Sequence, residues 1–141
     1  MVLAYDARRA TRDLDAVFEP HGVVVEEAHA VATELGLSPY WLNDQASVYV
    51  SRTADDHARR VFDHPGLRVS VASPEHLLAM KAIAGRRYAD QEDLSVLVAM
   101  LGLSTVDEVE LITSRVFPDE PLTDRSRLLL ADVLEARHGS A

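Results

Sequence analysis

The junction Ser73-Pro74-Glu75 divides this chain into two kinds of sequence. Serine as a cap, proline in the first helical position and an acid in the first turn form a strong helix start. Downstream of it the apolar spacing is helical throughout. Leu77, Leu78, Met80 and Ala84 form the stripe of one helix, with Gly85 near its end. A second helix is expected from Asp90 or Gln91 to Leu101, closed by Gly102, and a third from the Ser104-Thr105 cap to about Val116, stopped by Phe117-Pro118. A fourth spans Leu122 to Ala136, with Thr123 as its cap.

Upstream the pattern is different. Met1 to Arg9 reads as the tail of a helix, Thr11 to Phe18 as a buried strand, and Val23 to Leu35 as an amphipathic helix ended by Gly36. Ala46 to Ser51 is expected to be a short strand, and Leu67 to Ala72 a clear one, introduced by Pro65-Gly66. Asp55 to His64 is polar and has no decisive period. The order predicts an α+β fold: a small mixed sheet covered by helices, with a helical C-terminal half. A single domain over 1–141 is expected, sheet-containing over 1–72 and helical over 73–141.

At 141 residues and 48% hydrophobic, the chain is long enough to bury a core. It has no cysteine, so disulfides, thiolate zinc sites and thiol nucleophiles are excluded. Its net charge of −9 argues against a general nucleic-acid binder, although arginine doublets can still make a local positive cleft. No stretch is long and apolar enough for a bilayer span, and no export signal opens the sequence, which gives the expectation of a cytoplasmic protein without a membrane partner. The six histidines show no zinc-protease spacing. Tyr40 and Trp41 could stack a base, but a core anchor is the stronger expectation for the tryptophan.

Asp13-Leu14-Asp15 carries the first chemical signal. Alternate strand residues share a face, which places the two carboxylates side by side, Cα atoms about 6.5–7 Å apart. Like charges at that spacing disfavour each other unless a cation lies between them. Magnesium suits such a pair, because it takes hard oxygen ligands and shares them with phosphate. A solvated acidic strand end is the plain alternative. Further on, Lys81 sits on a helix that follows a strand, and Asp90 and Asp93 lie three apart on one helical face. Carboxylates, a lysine and nearby arginines make sense together for phosphoryl transfer: acids hold the metal, and a cation neutralises the phosphate. Arg12, Arg86 and Arg87 are candidate cations for phosphate oxygens; Arg12 reads equally as a plain ion pair with Asp13, and Arg86 and Arg87 are better placed, with a solvated face as their default reading. For Asp90 and Asp93, helix-end acids that favour the macrodipole are an equally good reading.

These residues, in this order, resemble the small bacterial nucleotidyltransferases of the DNA polymerase β superfamily, in the branch that includes AbiE-type and MenT-type toxins. The resemblance is carried by Arg9 to Phe18, Glu34 to Leu37 with Trp41 to Asp44, Ser73 to Lys81, and Arg86 to Leu94. It implies transfer of a nucleotide from a nucleoside triphosphate, with Mg2+, onto an acceptor such as the 3′ end of tRNA. It also implies a toxin of a toxin–antitoxin pair, with a cognate antitoxin protein as partner. By position, Asp13 and Asp15 would hold metal, Lys81 would contact the triphosphate, and Asp90 or Asp93 would complete the catalytic set. Two features depart from the pattern. The family's Gly-Gly or Gly-Ser turn would fall before Met1, so a start site placed too late or a lost phosphate cradle is expected. The strand Leu67 to Ala72 also lacks a third metal-binding acid. The alternative expectation is a catalytically degenerate domain kept for binding nucleotide or protein.

Overall fold

The computed structural model describes residues 13–139, apart from the side chains of Arg87, Tyr88, Ala89 and His138. The helix expected over Met1 to Arg9, the arginines 8, 9 and 12, and the Arg87 side chain lie outside the described residues. The chain divides into two compact units, Met1–Val50 and Ser51–Ala141. Its class is α+β, as the order of elements predicts, with five α-helices among the described residues; in place of the one small mixed sheet expected there are two separate two-stranded sheets.

In the first unit, strand β1 (Leu14–Asp15) pairs in parallel with β2 (Leu42–Asn43), and helix α1 (His21–Leu35) connects them. Parallel neighbours need such a crossover. Gly36 ends α1 in the left-handed conformation, φ 66°, which a residue without Cβ adopts readily. The helix buries Ala28 and Ala32, and the Trp41 indole N–H donates to the Ala28 carbonyl at 2.9 Å. That bond ties the approach to β2 onto α1, so the tryptophan is a half-buried anchor, while Tyr40 is exposed.

Two strand expectations need correction here. The strand expected over Thr11 to Phe18 is, among the described residues, only Leu14–Asp15, because its parallel partner is itself two residues long. It is exposed rather than buried, with Leu14 at 36% and Val17 at 61%. The expected strand at Ala46 to Ser51 is a 3₁₀ helix, Gln45–Tyr49. Asn43 Oδ1 accepts the Gln45 N–H at 3.1 Å, and the Asp44 carbonyl accepts the Ser47 N–H at 2.8 Å. Such local bonds close a turn before any strand can form, and the pairing position is already taken by Leu42 and Asn43.

The second unit opens with an antiparallel hairpin, β3 (Arg59–His64) and β4 (Leu67–Val71), turning at Pro65-Gly66 with a bulge between Arg60 and Phe62. Four helices follow: α2 (Pro74–Ala84), α3 (Arg87–Met100), α4 (Val106–Val116) and α5 (Asp124–His138). The caps of three of them, α2, α4 and α5, are those the sequence announces. Ser73 accepts the His76 N–H, Thr105 and Glu108 form a reciprocal capping box, and Thr123 accepts the Ser126 N–H. Helix α3 begins at Arg87, earlier than expected, so Asp90 falls inside its first turn. It ends where Gly102, φ 66°, lets the Leu103 N–H reach the Val98 carbonyl at 2.9 Å.

The core of this unit is a helix-on-helix layer. Leu78, Leu94, Leu97 and Leu130, one or two from each of α2, α3 and α5, are fully buried, and Val109 joins them from α4. Removing one such leucine side chain costs about 2–5 kcal/mol, so these contacts rather than the caps hold the bundle. No helix among the described residues is long and apolar enough to cross a membrane.

Candidate functional site

Helix α2 carries a polar cluster at each end. At its C-terminal end Lys81 points across to α3. Its Nζ lies 3.0 Å from Asp90 Oδ1 and 2.7 Å from Asp93 Oδ2. Arg86, from the link between the two helices, donates through Nε to Asp90 Oδ2 at 3.1 Å. Asp93 is one turn beyond Asp90 on the same face of α3, so one ammonium reaches both acids. Desolvation alone would lower the Lys81 pKa, but hydrogen bonds to Asp93 and Asp90 and the charges of both outweigh it and hold the pKa above the ordinary lysine value.

The two acids are not equivalent. Asp90 is 1% exposed and both of its oxygens are engaged, whereas the Asp93 side chain is 33% exposed. Breaking a buried, hydrogen-bonded pair costs about 3–5 kcal/mol, while a solvated pair is worth roughly 0–1 kcal/mol. Asp90 therefore anchors the lysine, and Asp93 is the acid that water and solutes can reach. Lys81 is also the single lysine among the 14 Lys and Arg residues of the chain. Everywhere else the cation is arginine, and that contrast is a signal the sequence offers for this position.

At the N-terminal end of α2 is a cluster that sequence reasoning missed. Asp55 Oδ2 accepts the Ser73 N–H at 2.7 Å, and Asp55 Oδ1 lies 3.4 Å from His76 Nδ1. The other ring nitrogen, Nε2, is 3.3 Å from the Thr53 carbonyl. Desolvation would raise the Asp55 carboxyl, but hydrogen bonds from Ser73 and the nearby His76 and His57 outweigh it and hold it below the usual carboxylate value. Ser73, His76 and an aspartate suggest acyl-transfer chemistry only by composition. Asp55 and Ser73 Oγ both meet the same nitrogen, Nδ1, and Ser73 is 2% exposed as the helix cap. A relay needs the acid and the nucleophile on opposite ring nitrogens, so this cluster is a fastening. It borders a cavity of about 300 Å³ lined by Thr53, His57, Glu75, His76 and Arg115, among others.

Asp13 and Asp15 belong to the first unit, whereas Lys81, Arg86, Asp90 and Asp93 belong to the second. Both aspartates of the first unit are exposed, Asp15 as the end of β1. Among the described residues no group of three or more His, Asp or Glu side chains is gathered to hold a metal. Asp13 and Asp15 offer exposed carboxylates, the hard oxygen ligands that magnesium takes. Comparison with protein-family models, with curated proteins and with solved structures finds no match to this chain.

Proposed function

We propose that this chain is a magnesium-dependent nucleotidyltransferase that moves a nucleotide from a nucleoside triphosphate to an acceptor, RNA such as tRNA among them, as the toxin of a toxin–antitoxin pair. The observation that carries the reading is the meeting of Lys81 with Asp90 and Asp93. Residues nominated for phosphate chemistry by type and order are joined through a single half-buried ammonium. In this reading Lys81 neutralises phosphate oxygens, and Asp90 with Arg86 keeps the ammonium in place. Asp93 is the accessible base. Asp13 and Asp15 would hold magnesium, which supplies charge neutralisation on the triphosphate. The direct test is incubation of the purified chain with Mg2+, labelled nucleoside triphosphates and total tRNA. Label is expected in RNA or protein and is expected to vanish in Lys81→Met; its absence with the native chain would remove the transferase reading.

A second reading, a nucleotide- or protein-binding domain without turnover, is favoured by one feature: the Lys81 charge is already met by two carboxylates. Nucleotide binding by calorimetry without transfer of label would select it.

A further inference from the structure

A lysine ammonium has three N–H donors, and Asp90 and Asp93 engage two of those on Lys81. The charges of Lys81, Arg86, Asp90 and Asp93 cancel, so an anion approaching Lys81 competes with carboxylates that already hold it. The two carboxylates differ in how readily they yield. Asp90 is 1% exposed, and losing Lys81 would strip a buried carboxylate of one of its two cations. Asp93 is 33% exposed and meets Lys81 through Oδ2 at 2.7 Å; a rotation carries it into water, which solvates it.

We infer that Asp93 is an exchangeable counter-ion: it leaves Lys81 when a polyphosphate arrives, while Asp90 stays. The inference rests on the reading of Lys81 as a phosphate-facing cation. It gives Asp93 a role in specificity rather than in anchoring. A singly charged anion brings no more charge than the carboxylate it would displace, so it gains little. A di- or triphosphate brings several charges and displaces Asp93 readily. The site is thereby closed to the abundant monoanions of its surroundings and open to polyphosphates.

The single lysine makes the exchange directly observable. Protein labelled with lysine carrying 13C at Cε alone, and with no lysine-containing tag, gives one labelled carbon resonance, that of Lys81 Cε. The native chain, Asp93→Asn and Asp93→Ser are titrated with tripolyphosphate and with inorganic phosphate, after thermal melting confirms that all three are folded. Both variants are expected to bind phosphate roughly tenfold more tightly than the native chain and to narrow its preference for tripolyphosphate. Exchange observed without any nucleotide transfer would still support the counter-ion role, while removing the transferase reading alone. The inference is overturned if neither variant binds more tightly than the native chain. It is equally overturned if tripolyphosphate leaves the Lys81 resonance unmoved in all three proteins.

Discussion

The two ends of α2 solve one problem in opposite ways. At the N-terminal end, Asp55, Ser73 and His76 are bonded to one another around a helix start. At the C-terminal end, Lys81 is held by a buried acid and an accessible one, and half of that arrangement can be undone without exposing a buried charge. The contrast teaches that polarity and burial do not identify a working site. What separates a fastening from a candidate site is whether a partner can leave at low cost. Four experiments bear on it.

The largest effect is expected from Asp90→Ala, which leaves Lys81 and Arg86 without their buried partner. A loss of about 3 kcal/mol by urea unfolding is expected; a loss below 1 kcal/mol would make Asp90 no more an anchor than Asp93. At the other end, Asp55→Ala removes the acceptor of the Ser73 N–H, and Ser73→Ala removes the cap. Each is expected to cost about 1–2 kcal/mol while leaving the Lys81 resonance in place. A shift of that resonance would show that the two ends communicate.

The pH dependence separates the ends by sign. The Lys81 pKa is raised in the folded state, so its contribution is fully present below pH 10.5, the ordinary lysine value, and fades as the pH rises through the folded value. The Asp55 pKa is lowered, so its contribution is present above pH 3.8 and is lost as the pH falls through the folded value. Lys81→Met is expected to flatten the alkaline limb of the stability profile and Asp55→Asn the acid limb. The smallest effect belongs to Asp93→Asn, which is expected to change stability by less than about 1 kcal/mol. A larger loss would mean that Asp93 anchors too, and the distinction between the two acids would collapse.

The helices of the second unit were legible because their signals are local. Ser73, Thr105 and Thr123 cap, and Gly85 and Gly102 stop, through bonds spanning at most a few residues. The strands were less so, because a strand's length is set by its partner. Nothing in Thr11 to Phe18 tells that Leu42–Asn43 offers only two residues to pair with. The same division runs through the candidate site. Lys81, Asp90 and Asp93 could be nominated from residue type and order, but choosing between the acids required knowing which one the bundle buries. Asp55 had no such signal, since its bond to the Ser73 N–H spans 18 residues and involves a backbone atom.

Gly85 ends α2 at φ 57°, and a Cβ added there would stand 2.8 Å from the hydroxyl oxygen of Ser126, near the start of α5. Ser126 is 1% exposed, and its hydroxyl lies 3.0 Å from Oγ1 of Thr123, the α5 cap. A single methyl group at this position would therefore disturb two helix termini at once, with Lys81, whose carbonyl accepts the Gly85 N–H, four residues away. At this point between α2 and α5 a side chain enters only if Ser126 moves, and the positive φ strains it as well, so the contact is made by a hydrogen where other residues carry carbon.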